Sequence, residues 1–307
     1  MKNSPFVVQN LIAVGSVNML VGDSNAGKTP FAMQLALCVA AGIPFLGLKT
    51  TPGLVLYFDF ENGVEKMMEL YDRVREGLGI AEDLDTFRLL YSGTRDEIAS
   101  DVREGKPSLI IIDTMRSFNP DTEESNTKAA NVMRWLKNLS HVNNGNGTSS
   151  LFLHHPKKDQ EKHERPSLDS TGPMQHWLSF VAGASAIVNQ SDTRIGFEAY
   201  ESGQAEAIVR ATRRGEGEFG PLKLGRIRQD QSGDELAYVQ ITGKSLLGQK
   251  YREALGHLPE EFHFTDAVKL LGWNKKAVSN LLRTLISSGL LEKLGKLKTA
   301  TKYKKTQ

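Results

Sequence analysis

The chain has 307 residues, 39% of them hydrophobic and 24% charged, with a net charge of +2. That is the make-up of a soluble globular protein, long enough for one large α/β domain and a small second one, and no apolar run reaches membrane-spanning length. The only cysteine, Cys38, excludes an intrachain disulfide, and Gln9 and Asn10 interrupt the apolar N-terminal stretch and make it a poor signal peptide, so the cytoplasm is the expected compartment.

Residues 18–21 read as a strand that runs straight into Gly22-Asp23-Ser24-Asn25-Ala26-Gly27-Lys28-Thr29, which fits G-x-x-x-x-G-K-[ST], the phosphate-cradling P-loop. The two glycines let the backbone curl so that successive N–H groups face phosphate oxygens. Lys28 supplies a cation to the outer phosphates, and the Thr29 hydroxyl is an oxygen ligand of the kind Mg²⁺ prefers. Pro30 belongs to the first helical turn, where its missing N–H costs little. Residues 31–41 are almost wholly apolar, as in a buried helix, and complete the strand–loop–helix setting that the motif requires. The cradle from Gly22 to Pro30 is thus a candidate ATP site.

Downstream, strands and helices alternate. Residues 53–59 predict a buried strand, 64–77 a helix, 87–91 a short strand, 97–104 a short helix and 108–112 the most hydrophobic strand. A helix follows over 128–142 and a core strand over 151–153. Repeated strand–helix–strand units imply a mostly parallel sheet with helices on both faces. Residues 116–126, 143–150 and 156–173 read as loops, and the alternation after residue 184 predicts antiparallel strands at 186–190, 194–200, 206–212 and 222–228.

A shift in composition near Thr242-Gly243-Lys244 divides the chain into residues 1–243 and 244–307. The last part predicts helices at 249–256, 264–271 and 275–288, with Thr265 and Asp266 as capping residues, then a β-hairpin turning at Gly295-Lys296. That order is the winged-helix variant of the helix-turn-helix. Residues 262–307 hold ten lysines and arginines against two acids, leaving 28 basic against 34 acidic side chains upstream. Such a basic end suits a polyanion-binding module, or else a solvated lysine-rich surface.

The chemistry of a P-loop also needs carboxylates. Leu109-Ile110-Ile111-Ile112-Asp113 is a β-branched strand ending in Asp, the Walker B pattern, and makes Asp113 the candidate second Mg²⁺ residue; the alternative is an Asp that merely ends a strand. Glu61, in Phe58-Asp59-Phe60-Glu61-Asn62, is the candidate general base. Asp59 competes for that role, and either carboxylate can instead cap the next helix. His154-His155 ends a core strand, where a polar side chain can contact the γ-phosphate or its attacking water. The two imidazoles point to opposite sides of a strand and do not easily share a metal ion. In Arg210-Ala211-Thr212-Arg213-Arg214-Gly215, Arg213 is the candidate finger acting on a neighbouring subunit's ATP, against a simple surface or nucleic-acid-binding cluster.

With these motifs, "LVGDSNAGKT…QLALCVAAGIPFLG…PGLVLYFDFEN…LIIIDT…LFLHHPKKD…GASAIVNQSDTRIGFE", the chain resembles the RecA-like ATPases related to the RepA replicative helicases of plasmids and phages, which share a core with the DnaB-type hexameric helicases. The resemblance covers roughly residues 10–230 and implies a RecA-like P-loop NTPase fold. It further implies a hexameric or similar homo-oligomeric ring with ATP and Mg²⁺ at subunit interfaces and single-stranded DNA in the pore. By resemblance Lys28, Thr29, Glu61, Asp113 and His154 take the roles given above, and residues 156–183 face the pore, with Lys157, Lys158 and Arg165 as phosphate contacts. Aligned on Gly215, Arg213 falls on the family's finger arginine and Ala211 on its preceding lysine. A replicative helicase is the expected activity. An ATP-dependent DNA-binding switch without unwinding and a P-loop small-molecule phosphotransferase are the alternatives.

Overall fold

The computed structural model describes residues 6–141, 147–157, 165–168, 173–183, 185–199, 206–214, 222–230, 235–240, 254–287, 290–297 and 300–306. The chain divides into two compact units, Met1–Gln240 and Ile241–Gln307.

In the first unit a small antiparallel pair, β1 (Phe6–Val8) and β2 (Ile12–Ala13), precedes β3 (Val17–Gly22), α1 (Lys28–Ala41), β4 (Val55–Asp59), α2 (Val64–Gly77), β5 (Phe87–Leu90), α3 (Arg95–Gly105) and β6 (Leu109–Asp113). A short α4 (Met115–Phe118) and a 3₁₀ turn (Pro120–Glu123) lead to α5 (Asn126–His141) and β7 (Ser149–His154). Then come α6 (Met174–Leu178), α7 (Ser185–Gln190), β8 (Thr193–Ala199), β9 (Glu206–Arg213), β10 (Leu222–Asp230) and β11 (Ala237–Gln240). Nine strands form one sheet in the order β11-β10-β9-β8-β3-β7-β6-β4-β5. From β8 to β5 every pairing is parallel, and β9, β10 and β11 extend the sheet antiparallel.

Side chains that alternate along each strand divide the interior into two layers. In β6, Leu109 and Ile111 join the cluster beneath α1 and α2, whereas Ile110 and Ile112 join the cluster beneath α3 and α5. Strands buried on both faces read as the continuous apolar runs seen in the sequence. One strand, β7, separates the P-loop strand β3 from the Asp-bearing strand β6. This is the α/β architecture that the strand–helix alternation implies, in the RecA-like P-loop form that the resemblance implies.

The second unit contains β12 (Glu261–His263), α8 (Phe264–Leu271), α9 (Lys275–Ser287), β13 (Leu291–Leu297) and β14 (Ala300–Lys305). The strands pair antiparallel in the order β12-β14-β13. Val278, Leu281, Leu282 and Leu285 of α9 pack with Ala267, Phe262 and Leu291 into a core of its own.

The structure corrects several expectations. Residues 186–190 form helix α7 and no strand. Ile187 and Val188 favour a strand locally, but Asn126 Oδ1 accepts from the Ala186 N–H at 3.2 Å and seats the segment on α5, so tertiary packing overrides propensity. The loop expected at 116–126 contains α4 and the 3₁₀ turn, because the Thr114 hydroxyl accepts from the Ser117 N–H and caps a turn there. Thr265 does not cap α8: His263 is the N-cap, and the Asp266 carboxylate reaches back to its N–H at 2.9 Å. Gly295 and Lys296 lie inside β13, where the register with β14 shifts between Lys293 and Lys296. A glycine in a strand marks such an irregularity as readily as a turn. The expected turn at 143–146, the start of the helix at 249, Lys158, Ala184 and Gly215 lie outside the described residues.

Candidate nucleotide site

Register collects the site. Gly22 is level with Phe197, Val21 with His154, Ile112 with Phe152, and Asp59 with Asp113. Gly22, Asp59, Asp113 and His154 therefore end their strands along one carboxyl edge, where ligands bind to open α/β sheets.

Gly22 is required by close approach. A Cβ there would be driven into the backbone carbonyl of Phe197 on the neighbouring strand β8. Gly22→Ala should cost about 3 kcal/mol, the upper part of the usual overpacking penalty, because backbone and not a flexible side chain must move; chemical denaturation measures it. Gly27 sits at φ 99° as the N-cap of α1, a conformation that glycine alone adopts without strain. Its carbonyl accepts from the Tyr238 hydroxyl at 3.0 Å. Tyr238 is fixed in turn by Gln34 of α1, whose amide bonds both the N–H and the carbonyl of Tyr238. β11 thus clasps the base of the P-loop from more than two hundred residues away.

Lys28 is buried. Its Nζ donates to the Asp23 carbonyl at 2.8 Å and lies 3.4 Å from His155 Nδ1. Burial lowers the lysine's pKa, and the nearby Asp113, Glu61 and Asp23 carboxylates partly restore it. Burial, and then the Lys28 charge, push His155 down to about 4. The imidazole is therefore neutral near pH 7, Nδ1 accepts from the ammonium, and Nε2 faces Glu61 Oε2 at 4.0 Å. Lys28, His155 and Glu61 thus lie in a row at the mouth of the cradle.

Asp113 is fully buried. Burial raises its carboxyl to about 6, against hydrogen bonds from Tyr57 and Thr29 that lower it. Oδ2 accepts from the Tyr57 hydroxyl at 2.8 Å, and among the described residues Oδ1 makes no hydrogen bond, although the Thr29 hydroxyl lies near enough to lower the carboxyl's pKa. A buried carboxylate oxygen without a donor is a standing cost unless something outside the protein engages it. Beside the Thr29 hydroxyl, it offers a hard oxygen pair suited to Mg²⁺ or to water on Mg²⁺. The donor set fits the cation.

The two carboxylates after β4 have separate fates. Asp59 accepts from the N–H groups of Asn62 and Gly63 at 3.0 and 2.8 Å and from the Asn62 amide at 2.9 Å. It is committed to the turn that opens α2. Glu61, with its side chain 46% exposed, stands free of that turn and reaches the His155 side of the cradle.

His154 and His155 do point apart. His154, the expected phosphate contact, is buried, with Nε2 3.0 Å from the Ala182 carbonyl, and its neighbour His155 lies against Lys28. Arg213 is level with Thr193, and Thr193 with Asn18. That is the amino edge, about 13 Å along β3 from Gly22. There the Arg213 guanidinium lies 4.9 Å over the Phe6 ring. Its own P-loop is out of reach. Arg165, expected among the pore contacts, forms a forked ion pair with Asp23 of the P-loop, and Lys157 Nζ donates to the Ser179 carbonyl at 3.3 Å. Sequence reading missed Tyr57, Arg165 and Tyr238 as partners of the cradle and named His155 only as one of a pair with His154. Only a polar Tyr in an apolar strand and a second His beside the first hinted at two of them.

A family model described as an AAA domain matches residues 4–161, slightly more than half of the chain. The chain belongs to the AAA domain family. The match covers the cradle, Glu61, Asp113 and both histidines, so this AAA domain is a P-loop ATPase, and the carboxyl edge just described is its candidate nucleotide site. Among the described residues no helix is long and apolar enough to cross a membrane.

Proposed function

We propose that this AAA domain is the engine of a motor on single-stranded DNA, a replicative helicase of the RepA type. The convergence of Lys28, Thr29, Asp113, His155 and Glu61 on one sheet edge carries the catalytic part of the reading. Backbone N–H groups of residues 23–29 and the Lys28 ammonium hold the phosphates. Thr29 and Asp113 would hold Mg²⁺, which would supply positive charge to offset that of the outer phosphates. Glu61, through its free carboxylate, orients the attacking water. His155, neutral and touching both Lys28 and the Glu61 side, links the phosphate end of the site to the segment that follows β7. Arg213, remote from its own cradle, acts only on a neighbour's nucleotide, which requires a ring or filament of copies, as the likeness to RepA and DnaB-type helicases suggests.

The DNA part of the reading rests on that likeness and on the second unit. Its β12-α8-α9-β13-β14 succession has the element order of a winged helix, with α9 as the recognition helix. Lys269 of α8, Lys275 and Lys276 of α9, Lys293 of β13 and Lys304 of β14 are exposed, and exposed lysines of this kind neutralise phosphates without reading bases.

The test is strand displacement on a forked duplex with ATP, alongside sizing of the protein with ATP and a single-stranded oligonucleotide. We expect multi-subunit assemblies, hydrolysis stimulated by the oligonucleotide, and release of the strand. DNA-stimulated hydrolysis with no release points instead to an ATP-dependent DNA-binding switch, a loader or recombination mediator.

A further inference from the structure

The loop that must accept a polyphosphate carries an acid of its own. Asp23 is the second residue of the cradle, and its side chain is 40% exposed. Its carbonyl is hydrogen-bonded to Lys28 Nζ, so its carboxylate stands at the rim that incoming phosphates pass. An uncompensated negative charge there repels each phosphate charge in turn.

The structure places a cation against it. Arg165 Nη1 donates to Asp23 Oδ1 at 3.2 Å, and Nη2 donates to Oδ2. The fork is largely shielded, with the Arg165 side chain only 15% exposed, and the guanidinium lies 5.6 Å over the Trp177 ring. This is no loose surface pair. Three residues on, Leu168 is buried. Its N–H donates to a Glu198 carboxylate oxygen of β8, and its carbonyl accepts from Arg210 Nη1 of β9 at 3.1 Å. Leu168 fills the space beside Gly196, together with Met174, so that a Cβ at Gly196 would meet both side chains. Arg165 is thus pinned to the sheet and α6, and reaches a partner 142 residues away in sequence.

We propose that Arg165 is a positioning residue for the nucleotide: it neutralises Asp23 and holds the rim of the cradle so that a triphosphate can enter. The inference rests on the P-loop as the nucleotide site. It differs from a plain structural brace in one respect. A charge effect grows with the charge of the ligand and vanishes when the offending carboxylate is removed.

The experiment measures equilibrium binding of fluorescent ATP and ADP to the full chain and to Arg165→Ala, Asp23→Asn and the double variant, with Lys28→Ala as reference. Arg165→Ala should weaken ATP by about tenfold, a modest share of the energy of two close charges near a protein surface, and ADP by less. Asp23→Asn should bind ATP more tightly than wild type, because the guanidinium then faces the phosphates unpaired. The double variant should recover most of the loss, a recovery that a misfolded protein cannot show. A double variant as weak as Arg165→Ala, or equal losses for ATP and ADP, would overturn the proposal in favour of a brace. If Lys28→Ala abolishes binding while Arg165→Ala changes nothing, the proposal alone is refuted. If the wild-type chain binds neither nucleotide, the P-loop assignment fails with it.

Discussion

Lys28→Ala should lower ATP turnover by about a thousandfold or more, in the range seen when a preorganised charge stabiliser is removed from a transfer site. The protein should remain folded. Lys28 lies buried in a place that disfavours its charge, as its lowered pKa shows, so its removal relieves a desolvation cost while the Asp23 carbonyl gives up one donor. The thermal midpoint should therefore shift by only a few degrees either way, the effect of about 1 kcal/mol in a domain of this size. The same variant carries an internal reporter. The Lys28 charge is the second cause of the low His155 pKa, after burial. Without it the imidazole should titrate at higher pH, which NMR of the histidine ring can follow. Loss of turnover with an unmoved His155 titration would mean that the lysine and the imidazole do not face each other in solution. Normal turnover would remove the catalytic reading altogether.

The parts of this protein written in local sequence were the legible ones. Apolar runs of five or six residues became the central strands. The P-loop pattern located α1, and α2 falls on residues 64–77 as its apolar spacing implies. The place of Asp113 at the carboxyl edge was readable because a β-branched run leading into Asp sets that residue at the strand's end. What could not be read depends on distance. Nothing near Tyr238 says that its hydroxyl reaches Gly27, since four sheet pairings intervene between β11 and β3. Nothing in Arg165 distinguishes a partner of DNA from a partner of Asp23. Residues 186–190 failed because Ile187 and Val188 speak for a strand and only Asn126, sixty residues earlier, speaks for the helix. Which of His154 and His155 lies against Lys28 could not be read for a simpler reason. Alternation along a strand tells that the two diverge, but the sequence does not say which one faces the loop. Asp59 and Glu61 were separated by hydrogen-bond supply: the turn before α2 offers its N–H groups to the first and leaves the second unclaimed.

Asp113→Asn should make the nucleotide-free protein more stable at pH 7 and remove its turnover. The carboxyl is raised from 3.8 to about 6 by burial, so the folded state holds a proton that the unfolded chain has already released across that interval. Where the folded state binds more protons, stability falls as pH rises. For Asp113 the fall runs from near pH 4 to near pH 6, and above it the full cost of the buried charge remains. A shift of roughly two units corresponds to about 3 kcal/mol. Denaturant titrations of wild type and variant in chelator should therefore agree near pH 4 and diverge through pH 6, with the variant ahead at pH 7 by up to about that amount. Mg²⁺ and ATP should reverse the order. A ligand that binds only the folded state stabilises it in proportion to its affinity, and the amide offers the cation no charge, so the gain falls to wild type alone. The carboxylate is thus a cost that the empty protein bears and the loaded one recovers, which is what an Oδ1 with no hydrogen bond among the described residues implies. A variant less stable than wild type at pH 7 in chelator would show the reverse: a charge that Tyr57 and Thr29 already satisfy, with nothing left over for a metal.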